Sequence, residues 1–82
     1  MSERVTIKDC ETVCANLNRR LSQGTTDAFV VVSGRNGYFA ADECYWNDLG
    51  RSAVRRTLVT GTKREVYDAL WNMIRGIDLL NQ

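Results

Sequence analysis

The stretch "AFVVVSGRNGYFAADECYW", residues 28–46, decides the fold of this 82-residue chain. Its first part, 28–33, is rich in β-branched and aromatic residues and too short for a typical helix, which favours a strand. Asn36-Gly37 follows, a dipeptide that accepts positive φ and predicts a tight hairpin turn. The remaining residues, 38–46, predict the partner strand. The stretch therefore predicts an antiparallel hairpin at the centre of the fold.

Successive side chains of a strand point to opposite faces, so both strands can be sorted by face. One face of the second strand carries Phe39, Ala41 and Tyr45, and the other carries Tyr38, Ala40 and Asp42. The first strand is apolar on both sides, with Ala28, Val30 and Val32 on one and Phe29 and Val31 on the other. One face of the hairpin can therefore be covered by helices while the other stays apolar.

A third strand follows the hairpin. "NDLG" at 47–50 predicts a turn, and "SAVRRTLVT" at 52–60 is rich in residues that favour extended backbone. Three consecutive strands joined by short turns predict an antiparallel meander.

A helix is predicted on each side of the meander. The first, "TIKDCETVCANLNRRL" at 6–21, spaces its apolar residues by three and four, has Thr6 as N-cap, and is followed by Gly24, which predicts a left-handed turn. The second, in "GTKREVYDALWNMIRGIDLL" at 61–80, opens with Thr62 and Glu65 at capping-box spacing. Its apolar face consists of Val66, Leu70, Met73, Ile74 and Ile77.

The predicted order is α-β-β-β-α in a single α+β domain over residues 1–82. Neither helix can bury its apolar stripe alone, so both should pack on one face of the three-stranded antiparallel meander. The other face of the sheet is left open.

Composition narrows the function classes. A net charge of +1 excludes a strongly basic nucleic-acid tail and a strongly acidic mimic of nucleic acid. No apolar run approaches the roughly 20 residues that span a bilayer, so we expect no membrane association. The first ten residues lack the apolar core of a signal peptide. Three cysteines without such a signal indicate a reducing compartment, and we expect the cytoplasm.

The sequence offers few groups for catalysis or metal binding. It contains no histidine, the commonest general base and metal ligand. Cys10, Cys14 and Cys44 supply three sulfurs where structural zinc takes four ligands, so we interpret the two helical cysteines, Cys10 and Cys14, as small core residues. The acids Asp42, Glu43 and Asp48 are interpreted as a solvated strand end, although paired carboxylates suit acid–base work or magnesium. We therefore expect a non-enzymatic protein without metal or cofactor.

Two groups of residues are candidates for binding a partner. The first is the open face of the sheet, with the apolar residues of the first strand and the aromatic residues Tyr38, Tyr45 and Trp46, because exposed apolar patches mark interaction sites and aromatics anchor them. The second belongs to the basic segment 51–64, which carries no acid. Its candidates are Arg55, Arg56, Lys63 and Arg64, and the fifth basic residue of the segment is Arg51. Alternation places Arg55 and Arg56 on opposite faces of the strand.

Nucleic-acid binding is the alternative function. The α-β-β-β-α order with a basic start to the second helix resembles double-stranded-RNA-binding domains, and free N–H groups beside Lys63 and Arg64 suit a phosphate. A net charge of +1 is low for affinity driven by phosphates, so the sequence favours a protein partner. Arg64 is also placed to pair with Asp68, four residues further on.

The chain resembles a group of small phage and prophage proteins. The resemblance lies in "NLNRRL" at 16–21, "GRNGYFA" at 34–40 and "TKREVYDALWNMIRGID" at 62–78, and the turn after the second strand departs from it in having less glycine. It implies a phage-borne accessory protein without an assigned biochemical activity, and it implies no catalytic residues. We expect the protein to act in the host cytoplasm by binding a host or phage protein, with the inhibition of a host defence system as one specific version, or by forming a homodimer.

Overall fold

The structure, a computed structural model, describes residues 4–24 and 27–80. Its elements are α1 (Ile7–Ser22), β1 (Phe29–Arg35), β2 (Tyr38–Trp46), β3 (Ser52–Gly61) and α2 (Lys63–Leu80). The strands pair antiparallel in the order β1-β2-β3. The predicted α+β fold with the order α-β-β-β-α is therefore confirmed.

Both helices begin at the predicted caps. The Thr62 hydroxyl accepts the Glu65 N–H at 3.1 Å, and the Glu65 carboxylate accepts the Thr62 N–H at 3.1 Å. Thr6 forms the same reciprocal pair with Asp9, so the first helix also opens with a capping box. The prediction of a left-handed turn at Gly24 is wrong. Gln23, the residue that caps the C-terminus of α1, has right-handed backbone geometry, and its N–H donates to the carbonyls of Arg20 and Leu21.

The hairpin turn falls where the sequence predicts it. Arg35 pairs with Tyr38, so Asn36 and Gly37 form a two-residue connection. Of these two residues, only Gly37 has a positive φ, at 80°, a backbone conformation that residues with a side chain rarely adopt. The second turn is organised by Asn47, whose side-chain oxygen accepts the backbone N–H groups of two following residues, at 2.9 and 3.0 Å.

The core lies between the sheet and both helices. Its buried residues come from every layer: Val13, Cys14, Leu17, Val30, Ala41, Val66, Leu70 and Ile74. Their presence in one cluster confirms that both helices pack on the same face, and the 17 Å thickness of the molecule matches two layers. The helices run side by side and parallel, since the Cys10 thiol reaches the Lys63 carbonyl at one end and Arg20 pairs with Asp78 at the other.

Side chains of α1 close the outer edge of the sheet at β1. Val30 lies on this edge, and its N–H donates to the Asn18 side-chain oxygen at 2.6 Å. Its carbonyl accepts from the Asn18 amide at 2.9 Å and from the Cys14 thiol at 3.0 Å. The Asn18 amide thus supplies, at Val30, the pair of hydrogen bonds that a fourth strand would make. Because an open edge is a site for unwanted strand pairing, this contact protects the edge at that residue.

Of the described helices, neither is long and apolar enough to cross a membrane. The three cysteines are free and buried, as predicted for Cys10 and Cys14, and burial raises the pKa of each thiol. Cys10 and Cys14 lie on α1, whereas Cys44 lies in β2. In the part of the chain that the structure describes, no three Cys, Asp or Glu side chains come together as metal ligands.

Candidate partner-binding surface

The sheet face opposite the helices is covered by neither α1 nor α2. We call this surface the open face. Side chains alternate between the two faces of a sheet, and Val30 and Ala41 point to the core, so the apolar side chains of the open face are Phe29, Val31, Tyr38, Trp46 and Val54. Of these, Trp46 and Val54 are each 58% exposed, and Val31 and Tyr38 are each 41% exposed. Large apolar side chains are therefore presented to solvent by all three strands.

Trp46 is held in place although it is exposed. Its ring stacks on Phe29 with the centroids 5.2 Å apart and the planes at 28°, a favourable offset arrangement for aromatic rings. Phe29 pairs across the sheet with Cys44, which is only 4% exposed. The tryptophan thus projects from a packed base, and less side-chain entropy is lost when such an anchor binds.

A buried carboxylate interrupts this apolar face. Asp42 is 4% exposed, and its two oxygens accept from Arg35 at 2.7 Å and from the Thr57 hydroxyl at 2.8 Å. The Arg35 guanidinium has donors that remain available beyond this bond. The centre of the open face therefore combines a neutralised ion pair with a polar group that can recognise a partner's carbonyl or carboxylate.

The structure separates the three predicted aromatic residues. Tyr38 and Trp46 both belong to the open face, but they lie at opposite ends of β2, about 27 Å apart at the rise of an antiparallel strand. Tyr45 lies on the helix-bearing face, where the Arg55 guanidinium sits 4.9 Å from its ring centroid. Grouping Tyr45 with the open face is therefore wrong, and the alternation pattern had already placed it with Phe39 and Ala41.

Arg55 and Arg56 converge on one carboxylate. Glu43 accepts from Arg56 at 2.7 Å and from Arg55 at 3.2 Å. The pairing of β2 with β3 shifts register between Glu43 and Cys44, which leaves Arg55 without a strand partner. Such a bulge re-aims side chains. The prediction that these two arginines point to opposite faces is wrong for this reason.

Glu43 gives the protein an acid-sensitive contribution to stability. The hydrogen bond from Arg56 is the main cause that lowers the pKa of the Glu43 carboxyl, assisted by the charges of Arg56 and Arg55. A lowered folded-state pKa stabilises the fold above about pH 4.5, and this contribution is lost as the pH falls below that value. We expect the stability of Glu43→Gln to fall less steeply with acidification, as measured by urea unfolding across the acid range. Parallel pH profiles for the two proteins would contradict this.

Lys63 and Arg64 also have partners within the chain. Arg64 pairs with Asp68 at 3.3 Å, as predicted, and the Lys63 ammonium lies 5.7 Å from the centroid of the Phe39 ring. The first turn of α2 is occupied by the capping box of Thr62 and Glu65, which places a carboxylate where a phosphate would bind. The nucleic-acid alternative stays a prediction, and this geometry does not favour it.

Comparisons with family models, with curated proteins and with solved structures each find no match to this chain. The resemblance to small phage and prophage proteins stays a prediction.

Sequence reasoning missed several residues that shape this surface. The apolar residues of the first strand, among them Phe29 and Val31, were expected on the open face, but Val54 was read only as a strand position. Arg35 and Thr57 gave no signal, because their shared contact with Asp42 joins residues from three strands.

Proposed function

We propose that this protein is a small non-enzymatic interaction module that binds a protein partner through the open face. The observation that carries the proposal is the exposure of Trp46 and Val54, together with Val31 and Tyr38, on a sheet face that no helix covers. Contiguous exposed apolar surface marks interaction sites, and tryptophan and tyrosine are the commonest anchors. Arg35 and Asp42 at its centre add a polar contact that fixes the orientation of a partner.

The charge distribution supports a protein partner over nucleic acid. The Arg35 charge on the open face is balanced by Asp42 at 2.7 Å. Arg55 and Arg56 are drawn together onto Glu43, and Arg64 onto Asp68. A phosphate backbone is held by cations that are free to exchange their counterions. An apolar, locally neutral surface instead suits the apolar centre of a protein interface.

The placement of the acids supports a role without catalysis. Asp42 and Glu43 are neighbours in β2 and therefore belong to opposite faces, so they do not act on one substrate together. The pKa of Glu43 is lowered by Arg56, and a general base works best with a pKa near the working pH. Both carboxylates are engaged by arginine, which is a structural role.

The proposed partner is a host or phage protein in the host cytoplasm, with a component of a host defence system as one specific version. The resemblance to small phage and prophage proteins is in keeping with such a partner but implies no assigned activity. A second copy of the chain is the other version, in which the open faces of two copies pack against each other about a two-fold axis.

The chain supplies a matched pair of exposed tryptophans for the test. Trp46→Ala should reduce partner capture from lysogenic or infected cells at least about 30-fold, since anchors of this type contribute about 2 kcal/mol or more. Trp71, 38% exposed on α2, is the control, and Trp71→Ala should capture as well as the wild type. Quantitative pull-down, with sedimentation of the free protein, measures both. Equal capture by the two variants would overturn the assignment of the open face.

A further inference from the structure

A second surface lies on the helix-bearing side of the sheet. A cavity of about 500 Å³ opens between the second half of α2, the end of α1 and the sheet. Its walls are apolar, from Leu17, Leu21, Leu58, Met73, Ile77 and Leu80. This volume falls within the range of about 300–1,000 Å³ that small-molecule sites occupy. Leu80 is 86% exposed, so the apolar wall continues out to the mouth.

Glu43 is the charged residue in the cavity wall. Its side chain is 15% exposed, with one oxygen bonded to Arg56 and the other to Arg55. An ionised carboxylate has about four acceptor sites, so Glu43 can accept a further hydrogen bond beyond these two. A cation there would meet two guanidinium groups, and an anion would meet the carboxylate itself. An uncharged O–H or N–H donor matches this environment.

Gly76 has no packing role that explains it. A Cβ built at this position would meet no atom within 4 Å, and the helix continues for four residues beyond it to Leu80. Glycine in a helix interior is unfavourable relative to alanine. Gly76 lines the cavity, and the space beside it is open to a larger side chain.

Both irregularities of the sheet lie at this cavity. The pairing of β2 with β3 shifts between Ala41 and Asp42 and again between Glu43 and Cys44, which leaves Leu58 and Arg55 unpaired. Leu58 forms part of the cavity wall, and Arg55 holds the Glu43 carboxylate. Bulges are common beside functional sites because they re-aim side chains.

We propose that this cavity binds an uncharged apolar small molecule carrying one hydrogen-bond donor, such as a long-chain alcohol or amide. The apolar body packs against the leucines of both helices and β3, and the hydroxyl or amide donates to the Glu43 carboxylate. The site lies across the sheet from the open face, so the inference goes beyond the proposed protein-binding function and does not depend on it.

The test is a titration of isotope-labelled full-length protein with 1-decanol, followed by amide chemical shifts. We expect saturable shifts at Leu58, Gly76 and Ile77, and binding of decanoate and decylammonium that is at least about tenfold weaker. Gly76→Leu should fill the mouth and weaken decanol binding at least about tenfold. Asn72→Leu, an equally apolar change at an exposed position of the same helix, is the matched control and should bind as the wild type does.

Thermal unfolding first checks that both variants are folded. Absence of saturation with decanol, tighter binding of either charged analogue, or unchanged binding by Gly76→Leu would each overturn the proposal. So would a dimer that Gly76→Leu dissociates in sedimentation, since a second copy of the chain would then occupy the cavity. Trp46→Ala should retain decanol binding, which separates failure of this site from failure of the open face.

Discussion

Asn18→Ala is expected to cost about 2–4 kcal/mol of the free energy of unfolding. The substitution leaves the N–H of Val30 without its acceptor at 2.6 Å, in a residue that is 4% exposed. An unsatisfied buried group costs about 1–3 kcal/mol, and the lost bond to the Val30 carbonyl adds about 1 kcal/mol, since only the weakly donating Cys14 thiol remains there. For 82 residues the total stability is on the order of 4–12 kcal/mol, so the loss is a large share of it.

Urea unfolding measures this effect, with Asn16→Ala as the control. The Asn16 side chain, on the same helix, is partly exposed and accepts only from Arg19 among its described partners. Its replacement should change stability by no more than about 0.5 kcal/mol. Equal losses for the two variants would show that the contact at the edge of β1 does not explain the effect, since alanine is the better helix former and its helix propensity causes no loss.

Asn18→Asp separates the two hydrogen bonds. The aspartate still accepts the Val30 N–H, but its second oxygen faces the Val30 carbonyl, where the amide donated at 2.9 Å. The folded state therefore disfavours the ionised form, and the pKa of the introduced carboxyl should rise above its unfolded value of about 4. Stability is then retained below about pH 4 and lost as the pH rises through the raised folded-state pKa. A variant whose stability relative to the wild type does not change with pH would contradict this reading of the contact.

Arg35→Met is expected to cost about 2–4 kcal/mol, more than most changes at a partly exposed arginine. It leaves the buried Asp42 carboxylate with Thr57 as its remaining described partner. Breaking a fully buried ion pair costs about 3–5 kcal/mol. We reduce this value because the Arg35 side chain is 42% exposed, so water reaches that end of the pair.

The double variant Arg35→Met with Asp42→Leu should recover most of this loss. Replacing a buried ion pair with apolar side chains of similar size is often neutral or stabilising, because no charge remains to be desolvated. The two variants and Asp42→Leu form a double-mutant cycle in urea unfolding, and Arg51→Met, at an exposed arginine, is the control. If the double variant is less stable than Arg35→Met, the pair itself stabilises the fold and the expectation is wrong.

Recovered stability in the double variant would bear on the open face. Asp42 of this ion pair lies between Val31 and Thr57, at the centre of the open face. If the pair contributes little to folding, its place there fits a role in orienting a partner. The double variant therefore also provides a folded protein in which the polar centre of the open face is removed and its apolar rim is kept.

The sequence by itself determined the element order, both helix starts and the turns. Strand β2 has the predicted bounds 38–46, and α2 begins after Thr62 as the capping box requires. These features follow from local sequence. A helix start needs a capping residue and its partner three positions later, and the hairpin turn needs a residue that accepts a positive φ, here Gly37. The apolar stripes then required both helices on one face, because neither could be buried alone.

Only the tertiary structure decided which side chains meet. The bulge at Arg55 brings two arginines to Glu43, the Asn18 amide closes the edge at Val30, and Arg35 finds Asp42. Each of these depends on strand register or on helix position, which is set by the packing of many residues distant in the sequence. A one-residue shift in pairing reverses the face of every later side chain, so local patterns predict the elements but not the site that they build.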